Sequence, residues 1–289
     1  MKKLKVILLL VLLISTTACK QNITEELHIL TTIYPLAYIT NEIYNQKDIT
    51  SIYPEGVDIN SYSLTDKQIT EYSKNNIFIY NGLSNELNVA KNLINKNNKI
   101  RIIDVAYGLN FDNGIEELWL SPNYYLMLAT TIKNNLQEFT KSKYINEEIT
   151  KNYQKLEETL SMMDADLRKI AKSANDLNKG TLIVSSNMFK YLNNYGFNVI
   201  SLEDEENLTP TNLNALKNNF KDGLYTTIFI KDTEEKTDLI KNLEKDYNAK
   251  VVKVNTMTTL SNESKNNNEN YLTIMDNYLT DIKNATLGE

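Results

Sequence analysis

The stretch INEEITKNYQKLEETLSMMDADLRKIAKSA, Ile145 to Ala174, decides the architecture of this chain. Its apolar positions fall at Ile149, Tyr153, Leu156, Leu160, Met163, Leu167, Ile170 and Ala174, always three or four residues apart, which is the period of one face of an α-helix. At 1.5 Å per residue this predicts a single rod roughly 45 Å long with one stripe to bury. Two arrangements would cover the stripe: flanking lobes docked along it, or a second copy in a coiled coil. Tyr153, Met163 and Ala174 make a poor coiled-coil seam, which favours the lobes and a monomer.

On either side of the rod, short β-branched runs alternate with helical patterns. Toward the amino end, His28 to Tyr34 (HILTTIY) reads as a strand, and Pro35 opens a helix through Ala37, Ile39 and Ile43. Ile49 to Tyr53 is a second strand, and Thr65-x-x-Gln68 is a capping box that starts another helix. Asn76 to Tyr80 (NIFIY) is a strand closed by Asn81-Gly82, Ser84 to Ile94 a helix, and Lys99 to Ala106 a strand. Beyond the rod, strands at Thr181 to Ser185, Phe197 to Leu202, Tyr225 to Ile230 and Lys250 to Val254 are separated by helices at Asn187 to Tyr195, Thr211 to Lys221 and Glu234 to Tyr247. A last helix covers about Glu269 to Ala285. Such alternation implies parallel sheets. The expected fold class is therefore α/β, with two Rossmann-like lobes joined by one long backbone helix and a ligand cleft between the carboxyl ends of the two sheets. The expected divisions are a leader at 1–18, a first lobe at 19–140, the connecting helix at 141–178 and a second lobe at 179–289.

Composition narrows the function. The 289 residues carry 31 Lys plus Arg against 37 Asp plus Glu, and 42% are hydrophobic, enough for one large or two smaller cores. With a net charge of −6 and Arg101 and Arg168 as its only arginines, the chain lacks the basic footprint of a nucleic-acid binder. A single histidine, His28, and a single cysteine, Cys19, exclude a His-Cys zinc cluster and an intrachain disulfide. Neither an activated nucleophile nor a phosphate-cradling glycine loop stands out, so the chain does not read as an enzyme.

The amino terminus has the form of an export signal. Lys2, Lys3 and Lys5 precede an apolar run from Val6 to Ile14, and Ser15, Thr16, Thr17 and Ala18 lead to Cys19. The run is far short of the ~20 residues of a spanning helix. A small residue before Cys resembles a bacterial lipobox, which implies a lipidated Cys19 and a protein anchored outside the cytoplasm on the cell membrane, although Thr16 departs from the usual Leu. An ordinary signal peptide with an incidental Cys is the alternative. Removing residues 1 to 18 takes three lysines and moves the charge from −6 to −9.

Several local sequences resemble one family, in order and over nearly the whole mature chain. TTIYPLAYITNEI (Thr31 to Ile43), IYPEGVDINSY (Ile52 to Tyr62), NIFIYNGLSNE (Asn76 to Glu86), ELWLSP (Glu117 to Pro122), SSNMFKYLNNYGF (Ser185 to Phe197) and NENYLTIMDNYLTDIKNA (Asn268 to Ala285) look like the TroA-like solute-binding lipoproteins of bacterial zinc and manganese ABC transporters. The resemblance implies capture of a divalent metal of the manganese or zinc class in the interlobe cleft, as cargo and not as a cofactor, and delivery to a membrane permease.

The family's metal-binding histidines are replaced. By resemblance, the ligand positions fall on Asn60 in the first loop, Glu117 before Trp119, Ser186 before Phe189, and Lys231 with Asp232 beside it. The candidate metal ligands are therefore Asn60, Glu117, Ser186 and Asp232, an all-oxygen set suited to manganese, magnesium or calcium more than to zinc. Lys231 and Trp119 are candidates for lining the cleft, with Trp119 expected to pack behind the ligands. An ammonium 4 Å from a divalent ion would cost on the order of 8 kcal/mol at an effective dielectric near 20, so metal binding requires Lys231 to point away or Asp232 to replace it. Alternatives are a Glu117–Lys231 ion pair in place of metal, a small zwitterionic solute held between those charges, or a surface adhesion protein that keeps only the scaffold. His28 reads as structural or exposed.

Overall fold

The computed structural model describes residues 27–288 except 46–48, 55 and 84. The leader, 1–18, and Cys19 lie outside the described residues. Among the described residues no helix is long and apolar enough to cross a membrane.

The first lobe is a four-stranded parallel sheet in the order β2-β1-β3-β4, formed by β1 (Ile29–Thr31), β2 (Ile49–Ser51), β3 (Ile77–Tyr80) and β4 (Arg101–Asp104). Ile29 lies opposite both Ile49 and Ile77, and Ile77 opposite Arg101. Every residue of β1 and β3 is buried, as expected for central parallel strands covered on both faces. The helices are α1 (Tyr34–Tyr44), α2 (Asp66–Tyr72), α3 (Glu86–Lys96), the single turn α4 (Glu117–Leu120) and α5 (Pro122–Phe139). The capping box at α2 forms as the sequence predicts, with Thr65 and Gln68 exchanging hydrogen bonds. Helix α5 is an addition to the elements expected from sequence. Pro122 starts it, and Tyr125, Leu128, Ala129, Ile132 and Leu136 form its buried face.

The rod is α6 (Lys143–Asp176), 34 residues long and capped by the Ser142 hydroxyl. Its buried stripe, Ile145 through Ala174, packs against α1, α5 and the closing helix. The stripe is thus covered within the chain, and no coiled-coil partner is needed to bury it. Each fully buried leucine or isoleucine along it contributes roughly 1.5–3 kcal/mol.

The second lobe repeats the topology of the first. Strands β5 (Thr181–Val184), β6 (Asn198–Ser201), β7 (Thr227–Lys231) and β8 (Lys250–Val254) form a parallel sheet in the order β6-β5-β7-β8. Helices α7 (Pro210–Lys221), α8 (Asp238–Tyr247), α9 (Asn262–Asn266) and the closing α10 (Tyr271–Leu287) complete it. The expected helix at Asn187–Tyr195 is a 3-10 helix. Its buried residues explain the tighter winding: Met188 and Tyr191, and Phe189, Leu192 and Tyr195, recur every three residues, the 3-10 period. Helix α8 begins at Asp238, four residues later than expected. Upstream of it the Glu234 carboxylate accepts from the Ser185 hydroxyl, and Thr237 caps the helix.

One apolar core runs through the first lobe, α6, α10 and the inner side of the second lobe, and a smaller one lies under α7 and α8 around Leu216, Phe220, Ile228 and Leu243. In the turn from α6 into β5, bulk added at Gly180 would displace the exposed Asn175 side chain. A Cβ there would sit 1.9 Å from Asn175 Oδ1, and the Asn175 side chain is held by donating to the Gly196 carbonyl at 2.7 Å. Gly180→Ala is expected to lower stability by about 0.5–1.5 kcal/mol, the worth of the Asn175–Gly196 hydrogen bond that the displaced side chain gives up. Urea unfolding measures this, and an unchanged midpoint would mean that Asn175 swings aside freely.

Candidate functional site

In both sheets the chain reverses direction across the sheet between the first and third strands of the lobe, β1 and β3 or β5 and β7. Ligands of open α/β sheets bind beyond the carboxyl ends of strands at such a switch point. In the second lobe the chain there carries Ser186, after β5, and Lys231 and Asp232, at the end of β7; in the first lobe Asn60 follows β2 and Glu117 follows β4, the strands on either side of the switch point.

Glu117 opens α4 and is 2% exposed. Its Oε2 accepts from the Asn113 backbone N–H at 3.3 Å and from Asn113 Nδ2 at 3.2 Å. Gly114 makes this return possible: its φ of +116° belongs to the left-handed region, and the space a Cβ would take lies 3.7 Å from Met188 of the second lobe. The loop bearing Glu117 therefore abuts the 3-10 helix that follows Ser186. Among the described residues no ion pair joins Glu117 to Lys231, which corrects the charge-pair alternative. Lys231 is the half-buried last residue of β7.

Trp119 is fully buried, and its indole N–H donates to the Thr256 carbonyl at 2.8 Å. It is a post between the lobes behind the site and does not line the cleft, because no part of the ring reaches solvent. The same Thr256 donates from its N–H and hydroxyl to Asp232 Oδ1 at 3.2 and 3.1 Å. Trp119 and Asp232, from opposite lobes, thus share Thr256 as a common support. Ser121 and Tyr195 hydroxyls meet across the junction at 2.9 Å, and the Tyr271 hydroxyl donates to the Trp119 carbonyl at 2.6 Å. Burial pushes the Tyr125 and Tyr271 phenols well above their ordinary value, so both remain neutral donors.

Ser186 is buried and donates to Glu203 Oε2 at 2.9 Å, while the Asn187 N–H donates to the same oxygen at 2.6 Å. Asn60 is exposed on the loop after β2, its N–H held by Asp58 Oδ1 at 3.0 Å. Among the described residues no hydrogen bond joins any two of Asn60, Glu117, Ser186 and Asp232, and no three His, Cys, Asp or Glu side chains gather as a metal cluster. Residues that sequence reasoning missed are Asn113, Glu203 and Thr256. An Asn-Gly pair just before Glu117 was the one local signal available for them.

Acidic residues concentrate beside this region of the second lobe. Glu203 to Glu206 and Asp232 to Asp238 place eight carboxylates on the loops after β6 and β7, on either side of β5, against Lys236 within them and Lys190, which pairs with Asp204 at 2.7 Å. The Lys190 hydrogen bond holds the Asp204 carboxyl below its ordinary value.

Residues 29–285 match the model of the family described as ZnuA, zinc-uptake complex component A, periplasmic. The chain belongs to this family. It is 24% identical to the high-affinity zinc uptake system protein ZnuA of Bacillus subtilis (strain 168), over an alignment covering 94% of this chain and 92% of the relative. Among solved structures it resembles the metal-dependent lipoprotein YcdH of Bacillus subtilis, with a TM-score of 0.73, 23% identity, and coverage of 91% of this chain and all of that one. It also resembles the Zn(II)-bound ZnuA-like domain of Streptococcus pneumoniae AdcA, with a TM-score of 0.71, 21% identity, and coverage of 90% and 99%. The two lobes on a long helix are the fold of these proteins. Members of the zinc-uptake component family are extracytoplasmic solute-binding components of ABC importers, working with a permease and an ATPase, and are not enzymes.

Proposed function

We propose that this protein is the lipid-anchored capture component of a divalent-metal importer, held at the membrane through Cys19 and acting as a monomer whose lobes, 19–140 and 179–289, flank a cargo cleft spanned from behind by 141–178. The cargo is a manganese- or zinc-class ion, and an oxygen-only donor set favours manganese. The observation that carries the reading is Glu117: a carboxylate 2% exposed, supported by Asn113 amide donors and, among the described residues, by no cationic side chain. A buried carboxylate without a counter-charge is costly, and an arriving cation supplies that charge. Ser186, Asp232 and Asn60 are the further oxygen donors. The acidic loops of the second lobe favour cations approaching from solvent.

Residues 20–289, stripped with chelator, test this through the melting temperature with and without Mn²⁺, Zn²⁺ and Ca²⁺. Binding to the folded state alone stabilises it by ~2.7 kcal/mol at a hundred times the dissociation constant. A shift with one ion that disappears in Glu117→Ala is the expected result. No shift with any ion, or a shift that survives Glu117→Ala, would remove the cation from this site and turn the search to organic solutes and protein partners.

A further inference from the structure

A second buried carboxylate lies in the first lobe, apart from the residues used above. Glu86, the first residue of α3, is 0% exposed, and its Oε2 accepts from the Asn81 N–H at 3.1 Å. Its other oxygen, Oε1, has no hydrogen-bond partner. Nor do two neighbouring groups that are equally enclosed, the Thr32 hydroxyl just beyond β1 and the Asn81 Nδ2 just beyond β3. Unpaired buried polar atoms are rare in folded proteins, because each forfeits its hydration without replacement. Here three of them converge at the first lobe's switch point, on the turn Asn81–Gly82–Leu83.

Among the described residues no cation pairs with Glu86. The charged side chains of α2 (Asp66, Lys67, Glu71) and the lysines of α3 (Lys91, Lys96) are exposed, and Glu42 of α1 lies in the groove with Asn152 and Lys155. Its ionisable neighbour is Tyr80, at the end of β3 and close to Asp104; the nearby negative charges of Asp104 and Glu86 help keep that phenol neutral, after burial. With no cation to balance it, the enclosed carboxylate is neutralised by a proton.

We propose that Glu86 is a proton-operated latch: with a proton taken from solvent, its carboxyl donates to the Thr32 hydroxyl and locks the Asn81–Leu83 turn between the ends of β1 and β3, and on release of that proton the enclosed charge, which the amides of the turn offset only in part, favours opening of the turn toward water. Burial pushes the carboxyl up from 4.5 to about 7, while the amides of the Asn81–Leu83 turn pull it down less strongly. A carboxyl raised in the folded state favours folding in acid. Its contribution is full below 4.5, falls as the pH rises, and is gone above about 7. The latch is independent of the cation reading of Glu117.

Carboxyl-carbon NMR of the mature chain with ¹³C-labelled glutamate tests it. One glutamate is expected to titrate with a midpoint near 7, the amide signals of Gly82 and Leu83 moving with the same midpoint, and that titration is expected to vanish in Glu86→Gln. The Gln amide can keep the Asn81 bond while donating to Thr32, so the variant's melting temperature should gain on the wild type as the pH rises from 4.5 to about 7. No glutamate midpoint near 7, its persistence in Glu86→Gln, or Gly82 and Leu83 amides that stay still through the titration would overturn the proposal. Should the variant fail to fold, the wild-type amide titration decides.

Discussion

Trp119→Ala is expected to lower folding stability by roughly 3–5 kcal/mol, the range for emptying a buried aromatic site. The ring is fully enclosed where α4 meets α10 and the loop after β8, so little solvent is available to fill the gap. Its indole N–H also serves the Thr256 carbonyl, and stranding a buried acceptor costs about 1–3 kcal/mol on its own. Trp119→Phe separates the two contributions by keeping most of the ring volume and removing the donor. Because Thr256 also holds Asp232, the alanine variant should disturb the second lobe's half of the site. Denaturant unfolding gives the size of the loss, and a value under about 1 kcal/mol would mean that the junction collapses around the hole and the post is dispensable.

Tyr271→Ala should be comparably severe, at about 3–5 kcal/mol by the same cavity argument. The Tyr271 ring stacks on Tyr125 with centroids 4.0 Å apart and on Tyr38 at 5.7 Å, which joins α10 to α5 and α1. Its hydroxyl reaches the Trp119 carbonyl at 2.6 Å, and its N–H donates to the Tyr34 hydroxyl at 3.2 Å. Tyr271→Phe keeps the stack and loses one hydrogen bond, worth about 0.5–1.5 kcal/mol. The alanine and phenylalanine losses should therefore differ several-fold, and equal losses would locate the stability in the hydroxyl alone. Tyr271 and Trp119 touch, so their alanine losses should fail to add by about 0.5–3 kcal/mol. A double-mutant cycle that adds within error would show that α10 and α4 are supported separately.

The junction these variants probe was only partly visible in the amino-acid order. The ELWLSP stretch marked Glu117 and Trp119 as noteworthy, yet the partner of Trp119 lies 137 residues away. Nothing near Thr256 in sequence distinguishes it from the other threonines around it. Asn113 meets Glu117 because Gly114 takes a left-handed turn, a backbone choice that a glycine permits without requiring. Helix α5 shows the opposite case. Tyr125, Leu128, Ala129, Ile132 and Leu136 carry helical spacing after a starting proline, so its signal is local and lies in the amino-acid order itself.

By itself the sequence determined the class of each strong element: the stripe from Ile145 to Ala174 made one long helix, the Thr65–Gln68 box started α2, and the buried strands Ile29–Thr31 and Ile77–Tyr80 stated their parallel neighbours by lacking a polar face. These signals are local, since hydrophobic period and capping act over a few residues. Tertiary structure alone decided that α1, α5 and α10 cover the α6 stripe, that Trp119 stands behind the site, that Glu117 is left without Lys231, and that Glu86 is enclosed with an unpaired oxygen. Those outcomes depend on how two lobes dock, and docking sets the burial and partner of every polar group at the junction, quantities that no run of neighbouring residues contains.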